Sequence, residues 1–255
     1  MLSFSSMDIS LYQGAAALNQ LEKWQNLLSV NIASAQAAGY KGKVATMSGI
    51  PAGKIHNPNA FDEVIDGVFP QVEIQSDFKD GPMIQTKKPT DFAIQGSGFF
   101  QVESPDGNQI LTRDGQFSIN NKGILVNKQG FPVQGDGGKI SIPEGSGSLV
   151  GMKDGRLLQD GRAIARLKLV NPDNLAELVS VNGGFFAPPE AAINLVEVEE
   201  PTLVQGFFEG SNLSPTRQMV EMIRVSKAYE NNQKMIQTLD DRFSRAIQVL
   251  GNTTQ

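Results

Sequence analysis

The stretch NIASAQAAGYKG, residues 31–42, decides how the chain is read, because a helical pattern stops there at a glycine, an aromatic residue and a lysine. Upstream of it, with Leu11 at heptad position a, the a and d places fall on Leu11, Gly14, Leu18, Leu21, Gln25, Leu28, Ile32 and Ala35, six of the eight apolar. A stripe this narrow predicts a long helix from Met7 to about Ala38 that presents a coiled-coil-type seam to another helix. Ser5 with Asp8 fits a capping box at its start, and Gly39 fits the left-handed residue that closes it.

The far end of the chain repeats the design. Ser214-Pro215 reads as N-cap and first helical position, and Met222, Val225, Tyr229, Asn232, Ile236, Leu239, Phe243, Ala246 and Leu250 share one seam, broken by Asn232. Gly251 would end this second helix. Between the two, the period changes to two in FFQV (99–102), QFSI (116–119), KISI (139–142) and RLKLV (166–170). Asp-Gly pairs beginning at 80, 106, 114, 136, 154 and 160, with Asn182-Gly183, mark turns, because both residue types tolerate positive φ. The predicted class is α+β: long N- and C-terminal coiled-coil-type helices flank an extended connector and an antiparallel β domain. The expected division is residues 1–41 for the N-terminal helix, which forms a core with 206–255, then a connector over 42–84, the β domain over 85–205 and the C-terminal helix over 206–255.

Composition excludes several function classes. The 22 basic and 27 acidic residues give a net charge of -5 without a basic stripe, so nucleic acid is not an expected partner. No apolar run is long enough to span a bilayer, so no membrane insertion is expected, and MLSFSSMDIS lacks the parts of a cleaved secretory signal. The absence of cysteine removes disulfides, thiolate metal sites and cysteine nucleophiles, and a single histidine, His56, leaves little for imidazole chemistry. His56 near Asp62 and Glu63 reads as a solvated loop residue rather than a metal site. QGSGFF lacks the third glycine and the following helix of a dinucleotide loop, and reads as a turn feeding a strand. The carboxylate pairs Asp240-Asp241 and Glu197 with Glu199-Glu200 read as solvated faces, and Met219, Met222 and Met235 as packing residues. No catalytic, cofactor or metal residue, no cofactor and no small-molecule substrate is expected.

Two terminal seams imply assembly. A hairpin of the two helices leaves flanking side chains such as Trp24, Leu27, Met219, Ile223 and Ile247 in need of cover, and helices of other subunits would supply it. Heterologous contacts that do not close generate helical filaments or tubes. The expected assembly interface is Leu11, Leu18, Leu21, Leu28, Ile32, Met222, Val225, Tyr229, Ile236, Leu239, Phe243 and Leu250.

NIASAQAAGYK resembles the Asn-Leu-Ala-Asn-x-x-Thr-x-Gly-Phe-Lys signature of bacterial flagellar rod and hook proteins at Asn31, Ile32, Ala33, Gly39, Tyr40 and Lys41, and departs from it at Ser34 and Ala37. DFKDGPMIQTKKPTDFAIQGSGFFQV (77–102) is similar to the motif of the same family that carries Asp91, Gly96, Gly98, Phe99 and Phe100. LTRDGQFSINNKGILVNKQGFPVQGD resembles its β-domain entrance, and GFFEGSNLSPTRQMVEMIRVSKAYENNQKMIQTLDD (206–241), with Glu209, Ser211 and Asn212, resembles its C-terminal helix. These stretches lie in the family's order and cover well over half the chain.

The resemblance implies a non-enzymatic axial component of the flagellar basal body, a torque-transmitting drive shaft through the periplasm. Its expected partners are copies of itself, other rod and hook axial proteins, and the flagellar type III export apparatus, which such proteins pass without signal cleavage. Met7 matches the family's usual start. The short connector and the RLKLV strand are more similar to a proximal-rod than to a distal-rod member, with a distal-rod or divergent hook-basal-body protein the alternative. Two readings from other classes stand beside it. A wall-cleaving enzyme would need a glutamate in a cleft of the β domain, Glu103 or Glu144. A tail- or adhesin-like binding module would need only one helical end.

Overall fold

A computed structural model describes residues 4–56, 64–143, 147–181, 184–187, 194–198 and 201–252. The chain divides into two compact units: residues 1–32, 43–75 and 215–255 form the first, and residues 33–42 and 76–214 the second.

The first unit is built from helix α1 (Phe4–Ser34), strands β1 (Lys43–His56) and β2 (Val64–Ser76), paired in a two-stranded sheet, and helix α2 (Pro215–Asn252). Pro215 opens α2, where its missing N–H leaves no bond unmade. Contacts between the helices run in opposite directions along the chain. Asn232 donates to the Gly14 carbonyl at 3.3 Å, Gln25 to the Ser226 hydroxyl at 3.3 Å, and Asn31 to the Gln218 side chain at 3.2 Å, so the helices lie antiparallel.

The class α+β holds, but the coiled-coil type is corrected. The described residues hold two α-helices, and their buried apolar side chains form one short cluster of Leu21, Leu27, Leu28 and Val225. Trp24, Met222, Tyr229 and Ala45 of β1 pack against it. Leu27, off the heptad seam, is buried, whereas the seam residues Leu11 and Leu18 are half-buried. The heptad reading assumed that only a second helix covers α1, but a strand residue joins the cluster and widens the covered face. Elsewhere the helix pair is joined by the amides Gln25, Asn31 and Asn232. The extended connector is corrected too: β1 and β2 occupy most of residues 42–84. Helix α1 ends at Ser34, with Ala37 N–H bonded to the Ser34 carbonyl, so Gly39 shapes the turn beyond the helix rather than capping it.

The second unit is centred on a six-stranded sheet. Its strands run Val179–Val181, Phe185–Ala187, Gln109–Thr112, Phe99–Glu103, Leu169–Pro172 and Leu195–Glu197 in spatial order, with every neighbouring pair antiparallel. FFQV is buried at all four positions, because both faces of the sheet are covered. Phe100, Val102, Ile110, Leu169 and Phe185 face the larger core, which also holds Phe92, Leu125, Val133, Leu157 and Leu203. Phe99, Leu111, Val170 and Phe186 face a smaller one closed by Phe78, whose ring meets Phe99 edge-on at 5.9 Å.

Short antiparallel pairs complete the unit. Strand Leu203–Gln205 pairs with Phe92–Ile94, and Phe207–Glu209 with Met83–Gln85. The Asp160-Gly161 turn links Gln159 to its partner Arg162 with φ of 51° and 76°, the two positive values that a tight hairpin of matching twist demands. Asp80-Gly81 behaves differently: a Cβ on Gly81 would lie 2.0 Å from the Gly210 carbonyl oxygen, so this glycine admits a close backbone approach. Asn182-Gly183, Asp62, Glu63, Glu144, Glu199 and Glu200 lie outside the described residues, as does the side chain of His56.

Candidate functional site: helical surfaces and the motif junction

The expected interface residues fall into three groups. Leu21, Leu28 and Val225 are buried within the first unit, while Leu11, Leu18, Ile32, Met222, Tyr229, Ile236, Leu239 and Phe243 are half-buried. The side chain of Leu250 lies outside the described residues. Met219, Val220, Ile223 and Met235 on α2 are about half exposed, as is Val30 on α1, and Tyr12 more so. Gly14 lets the helices approach, since a Cβ there would stand 3.0 Å from the Ile236 side chain.

The motif residues gather at two places. Asn31 is fully buried in the first unit and grips the backbone of Lys43 both ways: its Nδ2 donates to the Lys43 carbonyl at 2.7 Å, and its Oδ1 accepts from the Lys43 N–H at 3.0 Å. This pair of hydrogen bonds fixes the start of β1 against the end of α1. Ala33, by contrast, is exposed.

The second place lies within the β unit, where residues 39–42 meet residues 209–213. Lys41 is buried, and its Nζ donates to Glu209 Oε1 at 2.7 Å and to the Lys79 carbonyl at 2.7 Å. Glu209, buried as well, accepts a further bond from the Gly81 N–H at 2.8 Å, and its own carbonyl accepts from the Gly39 N–H at 2.7 Å. Arg113 reaches Glu209 Oε2 at 3.4 Å, donates to the Gly96 carbonyl at 2.8 Å and lies 5.1 Å from the Phe99 ring centre. Asn212 accepts from the Gly42 N–H at 2.8 Å and donates to the Asp77 carbonyl at 2.7 Å. Ser211 accepts from the Leu213 N–H. Gly39, with φ 64°, sits so close to Asp114 that a Cβ would fall 2.2 Å from its backbone nitrogen.

Two cations thus share one buried carboxylate. Asp80 stands 3.9 Å from both but is largely exposed. Burial lowers the pKa of Lys41 and of Arg113, against the pull of Glu209. Burial raises the Tyr40 hydroxyl, opposed by its bond to Ser34, and burial raises the Asp114 carboxyl, with the Asp91 charge adding to it. Asp91 is buried where it bridges to Gln116, Gly98 turns the chain at φ 120°, and Phe99 and Phe100 enter opposite cores.

Lys41 and Glu209 are 168 residues apart in sequence, so each is legible as part of a motif and neither as the other's partner. Arg113 escaped notice. Its signal was an arginine directly after the largely buried strand Gln109–Thr112, within LTRDGQ.

What this arrangement does is hold backbone. Glu103, the described candidate for wall cleavage, is engaged by Lys139 at 2.9 Å and Gln134 at 3.1 Å on the rim of the sheet. No group of three or more histidines, cysteines or acidic residues stands ready for a metal among the described residues, and no described helix is long and apolar enough to cross a membrane. A β unit whose buried polar groups hold backbone, with helices that carry exposed apolar side chains, defines the class: a structural protein made to pack against others.

Comparison with known proteins specifies it. Residues 93–161 match the flagellar hook protein FlgE/F/G D1 domain, and residues 204–249 match the flagellar basal body rod FlgEFG protein C-terminal region. The chain is 31% identical to the flagellar basal-body rod protein FlgF of Caulobacter vibrioides over 249 residues, 96% of this chain and 99% of that protein. It is 28% identical to FlgF of Escherichia coli (96% and 99%) and 29% identical to the flagellar basal-body rod protein FlgG of Buchnera aphidicola from Acyrthosiphon pisum (94% and 99%). The chain belongs to the flagellar basal-body rod protein family.

Proposed function

We propose that the chain, a structural subunit of the flagellar basal-body rod, builds that rod by packing α1 and α2 against the helices of neighbouring copies and of other axial proteins. The observation that carries this reading is the apolar side of α2, where Met219, Val220, Ile223 and Met235 remain exposed although Val225 is buried against the α1 cluster. Full burial of such a side chain is worth about 1.5–3 kcal/mol, so covering the exposed half gains roughly half of that, and a few repeated along a filament drive assembly. Contacts that do not close then propagate as a helix.

The chain takes the proximal-rod place, consistent with its likeness to FlgF proteins over nearly their whole length. It acts without catalysis, and passes the export apparatus as an unfolded chain. Its motif residues fix backbone within each unit: Asn31 holds Lys43 in the helical unit, and Glu209 and Asn212 hold residues 39–42 in the β unit. The test is deletion of the gene and complementation with Ile223→Asp. The expected result is non-motile cells whose basal bodies lack a complete rod in both strains, with motility restored by the unaltered gene. Motile cells carrying Ile223→Asp would overturn the assembly surface.

A further inference from the structure

We infer that the β unit is locked shut by its own last residues, so that it cannot fold until the segment ending near Leu213 is available. Three observations combine. Strands Leu203–Gln205 and Phe207–Glu209, at the end of the unit, pair with Phe92–Ile94 and Met83–Gln85 near its beginning. The backbone of residues 39–42 is held by the Glu209 carbonyl and by Asn212. Glu209 is also the buried anion that Lys41 and Arg113 share.

Without Glu209, closing the unit would bury two cations whose remaining counter-charge, Asp80, is 3.9 Å from each and mostly in water. Leaving buried charge unpaired costs a large fraction of a small domain's margin of stability, and the two strands that end the unit are lost with it. The closing contact also spans nearly the whole unit, with Gly42 and Asn212 separated by 170 residues, so it forms late. Folding is therefore all-or-none over residues 33–42 and 76–214.

For a chain threaded N-terminus first, this keeps the β unit open until its final strand has emerged. That consequence rests on the export reading proposed above; the lock itself does not, and its test needs no flagellum.

Hydrogen exchange read by mass spectrometry on chains ending at Gly206 and at Ser214, beside the full chain, tests it. Both shortened chains lack α2, so they differ only in residues 207–214. The expected result is slow exchange of Phe99–Glu103 in the full chain and in the chain ending at Ser214, and exchange at least a hundredfold faster in the chain ending at Gly206. Equal protection in the two shortened chains overturns the lock. Loss of protection in both also overturns it, because the closing element would then lie in α2. The full chain carrying Glu209→Gln gives a second readout: exchange must accelerate in Phe99–Glu103 together with Met83–Gln85. Acceleration confined to Met83–Gln85 would show a local contact and refute an all-or-none unit.

Discussion

Replacing Glu209 by glutamine removes one negative charge while keeping an oxygen where the Gly81 N–H and the Lys41 ammonium donate. At an effective dielectric constant of about 20, the attraction to Lys41 at 2.7 Å is worth about 6 kcal/mol, and that to Arg113 at 3.4 Å about 5 kcal/mol. Glu209 no longer has to shed the hydration of a charge, which offsets several kcal/mol of this, and removing one partner of a buried pair costs about 3–5 kcal/mol net. For a domain stable by roughly 5–15 kcal/mol, this is a large fraction. With a urea dependence of about 2 kcal/mol per molar, the midpoint of the β unit should fall by about 1.5–2.5 M. Urea unfolding followed by near-ultraviolet circular dichroism measures it. The double variant Lys41→Met, Glu209→Gln should recover part of the loss, because it leaves one unpaired cation instead of two. A loss under about 1 kcal/mol, or a double variant no more stable than Glu209→Gln, would refute the claim that Glu209 is the shared counter-charge.

Other outcomes follow from the same structure. Leu28→Asp places a carboxylate in the buried helical cluster, and Ile236→Asp disturbs the close approach at Gly14. Each should abolish rod assembly and motility, while hydrogen exchange in the β unit stays at the level of the unaltered chain. Gly39→Ala meets both a left-handed backbone and the Asp114 nitrogen, so thermal unfolding should show a loss above about 1 kcal/mol. Burial holds the folded pKa of Asp114 above 3.8, so folding favours its protonated form; that stabilisation is present below 3.8 and is lost as pH rises through the folded value. Asp114→Asn, which keeps an acceptor for the Gln116 N–H, should therefore raise the urea midpoint at pH 7 relative to the unaltered chain and bring no such gain at pH 3.

Particular residues show where the sequence was legible. Pro215 and the Asp160-Gly161 turn act through local backbone chemistry, and each appears where its residue types require. FFQV was legible as a strand, but it does not report that both its faces are covered, since a glutamine at position 101 looks solvated and is buried. RLKLV is not one strand: it runs from the end of Arg162–Arg166 to the start of Leu169–Pro172, which lie in different sheets, and QFSI and KISI are strand over only part of their length. Glycines 49, 53 and 67 with prolines 51 and 70 made β1 and β2 look like a connector, although their pairing tolerates these residues. The heptad count over-read α1, because periodicity along one helix says nothing of a strand arriving on its flank. At the motif junction, Gly39, Tyr40, Lys41, Glu209 and Asn212 could be singled out one by one. Their convergence could not, because a tertiary ion pair between distant residues leaves no periodic trace, and Arg113, though inside the quoted LTRDGQ stretch, was not singled out there.

The most direct measurement of the central claim is the position of this chain in purified basal bodies, by electron cryomicroscopy of particles in which it is the only axial protein carrying a label. The account predicts label in the rod, in several copies arranged helically, with α1 and α2 in contact with the helices of adjacent subunits. A complete rod containing no copy of the chain would contradict it.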